Sequence, residues 1–256
     1  MIKKVLHDLL RSGAGYEEDE RHGAGLRALA WGAVALALML AWWLWGRSGF
    51  FEAHLAPRHW EAAAVDYWAA MYQFASAFVL WFAVPLLLRR PLGLGDVREL
   101  GLGAGDVKLG VVLALAGVIL VAIPGGFVAA GMSDMRVTYP LARSAFDTPS
   151  RAVAYELAYG LLYYVAWESF YRGFLQLGLA RRLGNVSAIL LQVTATTLMH
   201  LDKPAGEIWT AFFAGFIFGF LVLRLRSVWP LFLIHWALGV FTDVFCAWRA
   251  GLGVFG

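Results

Sequence analysis

The sequence predicts an all-α, polytopic transmembrane bundle of about seven to eight helices, and three observations carry that prediction. Hydrophobic residues make up 61% of the chain and charged residues only 15%, a balance that would leave a soluble domain with much apolar surface in water. The apolar residues gather into runs near the roughly 20 helical residues needed to cross a hydrocarbon core of about 30 Å. The basic residues fall between those runs, where they act as topology signals. For that reason the formal charge of +3 does not point to nucleic acid, and none is expected as a partner.

Taken in order, Ile2, Val5, Leu6, Leu9 and Leu10 mark one face of a short helix expected at the membrane surface. The first 23 residues have no apolar core ahead of a small-residue cleavage site, so no cleaved signal peptide is expected. Seven membrane runs follow: Ala28 to Trp45, Tyr67 to Leu88, Leu109 to Ala130, Arg151 to Leu177, Val186 to Leu201, Glu207 to Leu223 and Val228 to Trp248. Trp42, Trp43 and Trp45 close the first run as an interfacial belt. The third run contains Pro124, Gly125 and Gly126 near its end. The fourth could break at Gly160, which would raise the count to eight. The glycine-rich stretch 91 to 110 lacks the Lys-Ser ending of a phosphate-binding loop and is expected to be a flexible connection. Cys246, the single cysteine, allows no intramolecular disulfide and is expected to serve packing.

With the N-terminus inside, the inner connections hold 13 Lys and Arg against 7 outside. The expectation is an integral protein of a bacterial cytoplasmic membrane with a cytoplasmic N-terminus. Its divisions are an N-terminal segment (1–27), three helices (28–150) and a core (151–256).

Four polar side chains are out of place in these runs: Glu168, Arg172, His200 and His235. An ionised group at mid-membrane costs about 2.5 to 3.5 kcal/mol even on the lenient insertion scale, so such residues face protein or water and carry function. Glu168 and Arg172 are four apart on one helix and can pair. At 1.5 Å per residue, Glu168 lies roughly 20 Å from Arg181, His200 roughly 22 Å from Asn185 and His235 roughly 12 Å from Ser227. Three helices thus deliver a carboxylate and two imidazoles into the bilayer, and one shared, hydrated site is expected. The fifth run spans only about 24 Å, so the polar DKPAGE after it begins below the interface, where non-helical backbone must border protein or water. A shielded glutamate suits a general base toward water, and two neutral imidazoles can bind zinc or help hold that water. A complete zinc site would want a third protein ligand. Arg172 can fix the carboxylate or stabilise developing negative charge. Asp202 and Glu207 read as loop polar groups first and accessory ligands second.

These residues carry a resemblance. ESFYRGFL, TTLMHL and LIHWALG, in that order, resemble the three motifs of the membrane-embedded CAAX-protease and bacteriocin-processing family over about Arg151 to Trp248. Glu168 falls at the second glutamate of the first motif, Arg172 at its arginine, and His200 and His235 at the motif histidines. The resemblance implies an intramembrane endopeptidase acting on a membrane-associated peptide or protein, with Glu168, His200 and His235 as catalytic groups or zinc ligands and Arg172 beside them. Three positions depart from the pattern: Trp167 at the first glutamate, Thr196 at the phenylalanine and Gly239 at the asparagine or aspartate. The family's catalytic carboxylate is generally assigned to the position held by Trp167. Either Glu168 is the base in this branch or the chain is a non-catalytic scaffold with the same fold; Asp243 is a further candidate carboxylate. A proton relay ranks below both, because no paired repeat halves are visible.

Overall fold

The computed structural model describes the backbone of residues 18–256 and the side chains of residues 25–256. The surface-helix face of Ile2, Val5, Leu6, Leu9 and Leu10 lies outside the described residues. Among the described residues the α- and π-type helical segments form nine elements in chain order: α1 (apolar part Gly25–Gly46), α2 (48–55), α3 (Ala62–Leu88), α4 (Val107–Ala129), α5 (Ser133–Thr138), α6 (149–183), α7 (Asn185–Leu198), α8 (Ala205–Leu225) and α9 (Trp229–Arg249). Among the described residues, α1, α3, α4, α8 and α9 are long and apolar enough to cross a membrane. The chain is an all-α, polytopic integral membrane protein.

All seven apolar runs form helices. Helix α6 starts where Thr148 accepts a hydrogen bond from the Arg151 amide at 3.3 Å with Pro149 as its first residue, and stops at Gly184, whose φ of 78° ends it. It does not break at Gly160. The chain continues through two wider, π-type stretches, Tyr159–Tyr164 and Ser169–Leu177, so the eighth helix that a break would create does not form. Gly160 is a packing notch instead: a Cβ there would stand 2.5 Å from Nε1 of Trp236. Gly160→Ala is expected to cost about 1 to 3 kcal/mol by overpacking, read as a lowered unfolding midpoint in detergent; an unchanged midpoint would show that the notch is not needed. Pro124 likewise does not interrupt α4, because it falls at the start of a new α-helical turn after a π-type one.

The helices contribute to two compact units. One comprises the described residues up to Leu38, Ala83–Gly110 and Glu168–Leu231. Its core includes Leu177, Ile189, Val193, Val222 and Leu231, and α7 packs there on both α8 and the 169–177 stretch of α6. The connection 89–106 belongs to this unit and is packed rather than flexible. Leu94 and Leu100 are buried, the Leu102 carbonyl accepts from Trp229 Nε1 at 3.0 Å, and the Gly103 carbonyl accepts from the Ser227 hydroxyl at 2.9 Å. Its glycines are required by geometry: Gly101 and Gly105 have φ of 76° and 62°, and a Cβ on them would stand 2.8 Å from Leu177 and Ser227 respectively. At its edge Arg181 lies 2.5 Å from Glu99 and, by that hydrogen bond, holds the Glu99 carboxyl below its ordinary range. A carboxyl lowered by folding stabilises the fold above its unfolded pKa and loses that contribution as pH falls through the lower folded value. Exposure keeps the effect small.

The second unit comprises Met39–Phe82, Val111–Trp167 and Phe232–Gly256. Its core is aromatic: Phe74 stacks on Tyr159 at 4.5 Å, beside buried Phe146, Tyr155 and Tyr164. Trp42 belongs to this interior and not to an interfacial belt, since it is 4% exposed and packs on Trp81 with ring centroids 4.4 Å apart. Trp45 remains exposed. Cys246 is buried against Ala130, Met135 and Tyr139, in a packing role.

Candidate active site

In the first unit a spacing of four residues builds three facing columns. Helix α6 contributes Glu168, Arg172 and Gln176, α7 contributes Gln192 and Thr196 with His200 just beyond its end, and α8 contributes Glu207, Gly215 and Gly219. Such residues lie above one another on a helix face. Arg172 Nε is 3.4 Å from Glu168 Oε2, with the two side chains 4% and 0% exposed, so the pair expected from the sequence forms and is buried. The guanidinium also sits 5.5 Å over the Phe218 ring, a cation–π contact that offsets part of its desolvation. Lower on the columns, Gln176 Nε2 donates to the Gly219 carbonyl and Gln192 Nε2 to the Gly215 carbonyl, each at 2.7 Å. The glycines make this approach possible: a Cβ on Gly219 would stand 3.0 Å from Gln192 Nε2.

The columns are incompletely satisfied. Among the described residues Arg172 Nε and Nη1, Ser169 Oγ, Gln176 Oε1 and Gln192 Oε1 are buried without a hydrogen-bond partner. Buried polar atoms of this kind mark places where water or a polar ligand group belongs.

His200 lies in the turn after α7 and is partly buried. Its Nδ1 is 2.7 Å from the Thr196 carbonyl oxygen, an acceptor, so that nitrogen carries the hydrogen. Thr196 is itself fixed by hydrogen bonds from its hydroxyl to the Gln192 and Val193 carbonyls at 2.9 and 3.1 Å. His200 Nε2 is left facing Glu207 Oε1 at 3.8 Å. Glu207 sits in the first turn of α8, not in a loop. Its position in register with Gly215 and Gly219 is the signal by which the sequence could have placed it in the columns.

His235 belongs to the second unit, where aromatic rings surround it. The Tyr164 ring lies 4.6 Å away and Trp167 meets it edge-on at 6.3 Å. Trp167 also packs on Trp81 and Tyr163, at 5.6 and 5.8 Å. Glu168 is about 100° around the helix from Trp167. One turn beyond His235, a Cβ on Gly239 would stand 2.8 Å from carbons of the Tyr164 ring. The positions that depart from the motifs, 167 and 239, both border the rings beside His235. Asp243 is turned toward Tyr155 and Glu156 and joins a buried acidic group that the sequence did not reveal. There the Leu141 amide donates to the Tyr155 hydroxyl at 3.2 Å, and the Glu156 carbonyl accepts from Trp236 Nε1 at 3.0 Å.

In neither unit, among the described residues, do three His, Cys, Asp or Glu side chains lie close enough to hold a metal ion. The residues present do not fit the three-protein-ligand set of a catalytic zinc site, and no step below runs through zinc.

A polytopic helical membrane protein with a buried Glu–Arg pair and an oriented histidine is the class these features define. Residues 149–241 match the family described as Type II CAAX prenyl endopeptidase Rce1-like. That span holds Glu168, Arg172, His200 and His235, and over it the resemblance read from the three motifs is shown. No curated protein and no solved structure matches the chain.

Proposed function

We propose that this protein is an intramembrane endopeptidase that hydrolyses a peptide bond of a membrane-associated peptide or protein. The observation that carries the reading is the buried Glu168–Arg172 pair, set within the segment that matches a protease family. A carboxylate shielded from bulk water and fixed by a guanidinium is suited to take a proton from an attacking water. In the proposed reaction water oxygen bonds to the carbonyl carbon while its proton passes to Glu168. The carbon–nitrogen bond then breaks as protonated Glu168 passes that proton to the leaving amine, which returns the carboxylate. The unpaired Arg172 Nε and Nη1 and the neighbouring Ser169 hydroxyl would serve as hydrogen-bond partners for that water. His200 is held through Nδ1 by the Thr196 carbonyl and, like His235, is assigned to the reaction by its motif position.

Purified protein in nanodiscs, incubated with a membrane-anchored reporter peptide, tests the reading. His200→Ala is expected to slow cleavage by about 10²-fold or more without loss of the folded protein. Cleavage at the wild-type rate would remove His200 from the reaction.

A second reading, a non-catalytic scaffold with this fold, is favoured by the rings of Trp167 and Tyr164 beside His235, the latter filling the space at Gly239. It predicts that the reporter is bound with the same affinity by wild type and by Glu168→Gln, and that neither ever releases a product.

A further inference from the structure

We infer that Glu207 is a positioning residue for His200, and that the two together make a metal-free oriented imidazolium; the inference rests on the endopeptidase reading for its catalytic part only. A ligand histidine in a metal site donates one ring nitrogen's hydrogen to a protein acceptor and turns the other, bare nitrogen to the metal. His200 meets the first condition through Nδ1 and the Thr196 carbonyl. The second is not met: Nε2 faces the Glu207 carboxylate oxygen at 3.8 Å, an acceptor that only a protonated Nε2 can pair with, so the ring held here is an imidazolium with no bare nitrogen, and no group of three metal-binding side chains surrounds it among the described residues. The ring is thus gripped from opposite edges, by α7 through Thr196 and by α8 through Glu207.

The placement of Glu207 strengthens the grip. It lies in the first turn of a 21-residue helix, where the helix dipole favours a carboxylate. Its register with Gly215 and Gly219, which receive Gln192 and Gln176, ties its position to the same helix contacts that set the Gln192–Thr196 column. The other charged groups of the turn are Asp202 and Lys203. The buried charges Glu168 and Arg172 of this unit are paired with each other. A side chain on a different helix thereby fixes the imidazole plane, a role distinct from contact with the reacting atoms.

The test uses the full chain in nanodiscs with nitrogen-labelled histidine, the His200 ring signals being identified by their loss in His200→Gln. In wild type the Nε2 signal is expected to be displaced from that of a free imidazole. Glu207→Gln is expected to move it toward the free value while the Nδ1 signal stays, and zinc added to the wild-type protein leaves both unchanged. Identical ring signals in wild type and Glu207→Gln overturn the inference, and so does a stoichiometric zinc-induced shift of Nε2, which needs no variant. On the reporter peptide, Glu207→Gln is expected to lower kcat by up to about 10²-fold, the scale of a misplaced group, with KM unchanged and with recovery in Glu207→Asp; a change in KM alone contradicts the positioning role. If wild type cleaves nothing, the endopeptidase reading fails and the ring spectra alone still decide the pairing.

Discussion

Glu168→Gln is expected to lower reporter cleavage by about 10² to 10⁴-fold, the contribution of a positioned general base, while the amide preserves the size and shape of the side chain. The loss should appear in kcat, because the carboxylate acts on water during the chemical step. Removing the charge also leaves Arg172 buried opposite a neutral group, so a fall in activity alone could come from unfolding. The double change Glu168→Gln with Arg172→Met separates the two causes. It withdraws both charges, which is often neutral or stabilising where one removal is not. The expected outcome is a recovered unfolding midpoint with cleavage still absent. Recovery of cleavage along with the midpoint would make the pair structural and place the base elsewhere.

The second large effect falls on stability. Arg172→Met alone is expected to cost about 3 to 5 kcal/mol, because it strands a carboxylate at a fully buried position. The Nε to Oε2 distance of 3.4 Å and the 0% exposure of Glu168 are the basis for that size. Thermal unfolding in detergent reads it, with Arg172→Lys as a companion that restores the charge but not the planar contact over Phe218. A midpoint for Arg172→Met equal to wild type would mean that water already reaches the carboxylate.

Hydropathy marked out seven runs that all fold as helices, five of them long and apolar enough to span a membrane among the described residues, because runs of apolar residues need no partner to be recognised. The Glu168–Arg172 pair was equally legible, since i and i+4 on one helix are neighbours wherever the helix packs. What composition concealed were relations between helices. Glu207 reads as a loop acid until α8 is known to begin at Ala205 and to bring its first turn to His200. Gly239 reads as a missing asparagine or aspartate until Tyr164 is seen to fill the space. The glycines of 91–110 suggest flexibility, yet Gly101 and Gly105 are there for positive φ and close approach to Leu177 and Ser227, which only the packed connection explains. Gly160 was ambiguous for the same reason: a glycine that could break a helix is also one that can admit an indole. Trp42 was misplaced because a tryptophan at a helix end fits a headgroup belt as well as a core, and only Trp81 across from it decides.

The central claim is that Glu168 activates the water that cuts a peptide bond. Its most direct test is mass spectrometry of a membrane-anchored peptide incubated with the reconstituted protein in water carrying heavy oxygen. With wild type a single cut is expected, its new carboxyl group containing one heavy oxygen, and with the folded double variant at Glu168 and Arg172 intact peptide. An intact peptide with wild type, or a labelled product formed equally fast by the double variant, would contradict the claim.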